Sequence, residues 1–178
     1  YYRKLRAPVV PEGAVFTDEA TRNTVMPLMQ SLTATTHATD ARAFIAWLDS
    51  QPQVDRTRKI GTTGYCMGGP IVMRTAGTQP ERIGAGASFH GGGLNTANPD
   101  SPHLLIPKMK ASMLIAIADN DDKSDPTSKD ILRKAFDAAR CAAVCSGLAA
   151  SPCKRAASSA HSAALTAAAT PAKPPPSI

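Results

Sequence analysis

Gly64-Tyr65-Cys66-Met67-Gly68-Gly69 holds the residues best suited to chemistry. The hexapeptide follows a short strand-like run from Arg58 to Thr63 and leads into Pro70-Ile71-Val72-Met73-Arg74, which reads as a helix start. Gly-x-Cys-x-Gly at a strand-to-helix corner is the cysteine form of a nucleophile elbow. Glycines at 64, 68 and 69 let the backbone turn sharply and let strand and helix pack closely around the nucleophile. The Cys66 sulfur would stand exposed at the positive end of the helix dipole, where an attacking thiolate is stabilised. The N–H of the next residue, Met67, is placed to donate to an oxyanion. Taken alone, the pentapeptide equally fits a glycine-rich turn around a buried structural cysteine.

A nucleophile of this kind needs elements that carry a base and an acid to the same edge. Residues 1 to about 16 read as a proline-punctuated surface connection, and Thr17-Asp18-Glu19-Ala20 offers a capped start for a helix to about Leu32. His37 reads as an ordinary helix-start residue, and a second helix is expected from about Thr39 to Ser50. Ala41, Phe44, Ile45 and Leu48 share one face of it, Trp47 widens the stripe, and these aromatics are expected to pack against a sheet. Arg82 to Phe89 reads as a buried strand ending in His90-Gly91-Gly92-Gly93, and residues 94 to 110 as loop. Met113 to Ala118 is the clearest strand, Asp119 to Asp125 an acidic loop, and Pro126-Thr127 open a helix to about Ala139. Strands alternating with helices predict an α/β chain with a parallel sheet. Functional loops in such sheets lie at the carboxyl ends of the strands. Cys66, His90 and the Asp119–Asp122 segment all fall just beyond such ends, as a triad requires.

From Ile60 to about Ala138 the chain resembles the dienelactone hydrolase family, a branch of the α/β-hydrolases. The resemblance rests on Ile60-Gly61, the elbow hexapeptide, Ser88-Phe89-His90-Gly91-Gly92, Asp100-Ser101-Pro102-His103-Leu104, Lys110-Ala111, Leu114 to Ala118, and Asn120-Asp121-Asp122 ahead of Asp125-Pro126. Tyr1-Tyr2-Arg3 also looks like the family's aromatic-aromatic-Arg segment. The resemblance implies a partial α/β-hydrolase fold, a parallel sheet with flanking helices, over residues 1–140. It implies an ester or enol-lactone hydrolase with Cys66 as nucleophile and Met67 as oxyanion donor. The triad acid comes from the loop after Met113–Ala118; Asp121 fits best and Asp122 is a close second. Arg3 matches the family's substrate-carboxylate arginine, which suits a small anionic lactone, with a surface arginine as the plain alternative. His90 and His103 either line the active-site mouth, stand in as base, or fix the loops beside the elbow by hydrogen bonding. No metal or organic cofactor is implied.

The base is where the chain departs from the family. The expected His-Gly loop close to the C-terminus is missing, and His161, near the expected distance, is flanked only by Ala160 and Ser162. Residues 141–178 are rich in Ala, Ser and Pro and carry no acidic residue. They read as a low-complexity tail without stable tertiary structure, or as the product of a shifted reading frame. A zinc site from Cys141, Cys145, Cys153 and His161 is disfavoured by their wide spacings. The start at Tyr1 reads as a fragment lacking its N-terminal part. A catalytically incomplete, non-enzymatic domain is therefore the alternative to an active hydrolase.

The net charge of +6 does not mark a nucleic-acid binder. Arg140, Lys154, Arg155 and Lys173 supply much of it from beyond the last acidic residue, Asp137, and no basic run is interleaved with aromatics. No apolar stretch approaches the ~20 residues a membrane helix needs. With three of four cysteines in the tail there is no disulfide framework for the core, and a reducing cytoplasm suits a cysteine nucleophile.

Overall fold

The structure, a computed structural model, describes residues 5–145, with side-chain environments through residue 139. Residues 5–140 belong to one compact unit. Arg3, His161 and Cys153 lie outside the described residues.

Two helices come first, α1 (Glu19–Gln30) and α2 (Ala34–Asp49). Then follow β1 (Ile60–Tyr65), α3 (Gly68–Thr78), β2 (Ile83–Phe89), a 3₁₀ helix (Pro102–Lys108), β3 (Ser112–Ala116), α4 (Asp119–Ser124) and α5 (Ser128–Cys145). The strands pair in parallel in the order β1-β2-β3, so this is an α/β chain with a parallel sheet and flanking helices, as expected. The register sets Gly64 opposite Ser88 and Tyr65 opposite Phe89, and Phe89 in turn opposite Ala116. All three strands thus end level, and the three following corners lie side by side.

Several elements differ from the sequence reading, each for a local reason. α2 starts at Ala34 because Thr33 and Thr36 form a reciprocal cap: Thr36 N–H donates to Thr33 Oγ1 at 3.2 Å and Thr33 N–H to Thr36 Oγ1 at 2.8 Å. α3 starts at Gly68, two residues before Pro70; a proline in the first turn costs no helical hydrogen bond, since those N–H groups have no intrahelical acceptor. The acidic segment after β3 is a short helix, with three aspartates in its first turn where the dipole favours them.

α3 packs on the sheet face lined by Gly64, Gly86 and Ser88, where small residues let it come close; a Cβ at Gly86 would sit 3.2 Å from Val72 Cγ1. Met73, Leu94, Ile106 and Leu132 form the buried cluster there, with Met113 and Ile115 of β3 packed against it. Met73 is wholly buried. Met73→Ala is therefore expected to cost about 2–5 kcal/mol of stability, read as a lower urea midpoint with unchanged slope. A loss under about 1 kcal/mol would mean that this cluster is not the core.

The opposite face of the sheet stays open. Thr63, Tyr65, Ala85 and Leu114 are exposed there, Tyr65 by 60 % and Leu114 by 53 %. The far edge of β1 is also unpaired among the described residues. The expectation for α2 must be corrected in the same region. Ala41 and Ile45 are buried, but Phe44 and Trp47 are 68 % and 66 % exposed. Phe44 borders a groove of about 260 Å³ with Leu48, Ile60 and Ile71, beside the unpaired edge, so nothing among the described residues covers its outer side. α2 is held instead by its His37-Ala41-Ile45 row and by Arg82. The Arg82 guanidinium donates to both carboxylate oxygens of Asp49, at 3.1 and 2.6 Å. That hydrogen-bonded pairing keeps the Asp49 carboxyl below its ordinary range.

Candidate active site

Cys66 is the first of the two residues between the end of β1 and the start of α3 and has φ 51°, a left-handed backbone that a non-glycine residue adopts only under constraint. The constraint is visible. Cys66 N–H donates to Phe89 O at 3.1 Å, and Cys66 O accepts from Gly69 N–H at 3.0 Å. The peptide is thereby stapled to β2 on one side and to the first turn of α3 on the other. The positive φ falls on the cysteine itself, so the neighbouring glycines serve close approach. A Cβ at Gly64 would run into the Gly68 carbonyl and stand 2.9 Å from Val72 Cγ2; a Cβ at Gly69 would stand 2.5 Å from Ser88 Oγ and 2.8 Å from Gly91 Cα. Gly68 has open space. Cys66 is exposed and free. Met67 follows at the helix N-cap, and its N–H enters none of the described backbone hydrogen bonds outside helices and strands.

His90 is the second non-glycine residue with positive φ, 43°, and it is the next corner along the sheet edge. Its N–H donates to Ala116 O at 2.8 Å, tying the end of β2 to the end of β3. The His90 side chain is exposed. Beneath this corner Ser88 is fully buried, its Oγ without a partner among the described residues, wedged where Gly69 of α3 meets Gly91 of the loop. The elbow and the His90 loop are thus interlocked through contacts between small residues.

The third corner carries the acids. Asp121 Oδ1 accepts from Asn120 Nδ2 at 3.2 Å, and its Oδ2 is enclosed without a described partner. Asp122 Oδ2 pairs with Lys129 Nζ at 2.7 Å, while its Oδ1 is likewise enclosed and unpartnered among the described residues. Adjacent strands lie about 4.8 Å apart, so the ends of β1 and β3 are about 10 Å apart with the His90 corner between them. None of the three described histidines hydrogen-bonds to Cys66, Asp121 or Asp122.

His103 is a loop-fixing residue here. Its Nδ1 shares a 2.7 Å hydrogen bond with Ser101 Oγ, which also accepts from Thr96 N–H at 2.9 Å, and His103 N–H donates to Leu94 O. The reading of His37 as an ordinary helix-start residue misses its environment. It is buried, and Arg74 Nη1 donates to its Nδ1 at 3.2 Å. Its place at i with Ala41 at i+4 and Ile45 at i+8 is the signal available in the sequence. The Phe44 groove includes none of Cys66, Met67, His90 or Asp121 in its lining.

Among the described residues no three His, Cys, Asp or Glu gather as a metal site would need, and no helix is long and apolar enough to cross a membrane. Neither curated proteins nor solved structures gave a match to the chain. The model of the dienelactone hydrolase family matches residues 1–146, which include the elbow, the His90 corner and the acidic segment. On that match the chain belongs to the dienelactone hydrolase family, a family of hydrolases.

Proposed function

We propose that this chain is a carboxylic ester hydrolase of the dienelactone type, acting by acyl transfer to Cys66. The observation that carries the reading is the exposed Cys66 held at φ 51° between β1 and α3. The Cys66 sulfur attacks the carbonyl carbon of an ester or enol-lactone. A sulfur–carbon bond forms, the carbonyl oxygen takes up negative charge, and the Met67 N–H donates to it. The carbon–oxygen bond then breaks, and the alkoxide or enolate leaves, taking up the proton that the Cys66 thiol released. Water hydrolyses the thioester with a histidine as base, oriented by an aspartate.

Asp121 is preferred as that aspartate because Asp122 already shares an oxygen with Lys129. His161 remains the candidate base on its distance along the chain alone, and His90, at the corner after β2, is assigned to the substrate side of the mouth. Arg3 is proposed to meet a substrate carboxylate. The substrate is a small, anionic lactone or ester, and a reducing compartment such as the cytoplasm suits the free thiol. The second reading, a catalytically incomplete domain, is favoured by one observation: no described histidine bonds to Cys66 or to either aspartate.

Brief exposure to p-nitrophenyl acetate, acid quench and peptide mass mapping tests the reading. An acetyl group is expected on the peptide carrying Cys66. Ester cleavage with no acetyl at Cys66 would remove the proposed nucleophile, whereas an acetyl that forms and persists would support the incomplete domain.

A further inference from the structure

Three parts of the chain meet behind the elbow through one side chain, Arg74 of α3. Its Nη1 donates to His37 Nδ1 of α2 at 3.2 Å, and its Nη2 donates to the backbone carbonyl of Asp100 at 3.2 Å, in the loop between the His90 corner and the 3₁₀ helix. A guanidinium has no acceptor to give, so His37 Nδ1 must be the unprotonated nitrogen and its proton sits on Nε2. That Nε2 is buried with no described partner, and so is Arg74 Nε. His37 is only 7 % exposed. The hydrogen bond therefore exists only while the imidazole is neutral.

We infer that His37 and Arg74 form an acid-sensitive latch, closed when His37 is neutral and opened when it takes up a proton, which joins α2 to the elbow helix and to the loop at Asp100. Protonation would turn Nδ1 from acceptor to donor, break the bond to Nη1 and leave two cations facing each other in a partly buried setting. Of the other charged or titratable groups around it, Arg74 is the one that α3 presents. The loop contributes the Asp100 carbonyl, with its carboxylate exposed, and His103, already bonded to Ser101 Oγ. Asp40, three residues along α2, has an interaction of its own.

Burial first, and Arg74 second, lower the His37 pKa from its ordinary value of 6.5. The folded chain thus binds fewer protons at this site than the unfolded chain does. Stability from the latch is fully present above pH 6.5 and is lost as pH falls from there through the lowered folded-state value.

The test is urea unfolding of the full chain between pH 8 and pH 5, for the wild type and for His37→Gln. Glutamine can accept from Arg74 through its side-chain oxygen but cannot charge. The wild type is expected to lose up to about tenfold in its folded-to-unfolded ratio per pH unit below 6.5 relative to His37→Gln. Parallel curves for the two proteins would overturn the latch. NMR titration of the His37 ring in the wild type tests the same point without a variant. A ring that charges below the ordinary value, together with shifts in α3, supports the latch, and one that charges at or above it refutes the idea.

Discussion

Cys66→Ala is expected to remove the product burst from an activated ester completely. In the wild type the burst should amount to no more than one equivalent of p-nitrophenolate per chain, followed by slow turnover. The two phases separate because acylation and deacylation make different demands. Sulfur needs little help to attack, whereas deacylation needs a base within hydrogen-bond reach of water, and no described histidine is bonded into the site. Cys66→Ser sharpens the point. A hydroxyl depends on a general base that contributes roughly 10²–10⁴-fold, so serine should acylate slower than cysteine by about that factor if the base is missing. Stopped-flow release of p-nitrophenolate reads both. Sustained wild-type turnover, eliminated by Cys66→Ala and by His161→Ala alike, would show that residue 161 supplies the base and would overturn the expectation of slow deacylation.

The parts of the fold legible in the sequence are those whose cause is local. The β1–Cys66–α3 corner is written in its glycines, because Gly64 and Gly69 stand where a side chain would meet backbone or a buried serine. The β2 and β3 strands end within two residues of where their apolar runs do. The start of α2 was hidden because its cap pairs two threonines, Thr33 and Thr36, where the more familiar signature has an acid or amide at the second position.

What could not be read is whatever depends on a distant neighbour. Phe44 lies on the correct stripe of α2, yet whether it is buried depends on what lies beyond β1, and among the described residues that edge is unpaired. The bond from Arg74 to His37 joins residues with no motif between them. The choice between Asp121 and Asp122 turns on Lys129, seven residues past Asp122 on the following helix. In the site, the strand-to-helix corner that carries Cys66 was legible from the spacing of its glycines, while the acid and base were assigned by resemblance and depend on three strand ends lying level.

Gly64→Ala should damage the protein more than any other single-methyl change at the elbow. The added Cβ would collide with the carbonyl group of Gly68, which belongs to the backbone of α3, and would come 2.9 Å from Val72 Cγ2. A side-chain neighbour could rotate away; a helix backbone cannot move without carrying the whole first turn with it. Overpacking of this kind costs about 1–3 kcal/mol or more, and the site has no slack, because the same turn is stapled by the Gly69 N–H to Cys66 O bond. The variant is expected to lose at least about 2 kcal/mol of stability. Cys66 should also react more slowly with iodoacetamide than it does in the wild type, since its geometry depends on that turn. Gly68→Ala is the control. Nothing lies within 4 Å of the position its Cβ would take, so its stability should stay within about 1 kcal/mol of wild type. Urea unfolding and iodoacetamide mapping on both variants decide the matter. Wild-type stability and labelling in Gly64→Ala would mean that the close approach of β1 and α3, and with it the strained setting of Cys66, is not a feature of the folded chain.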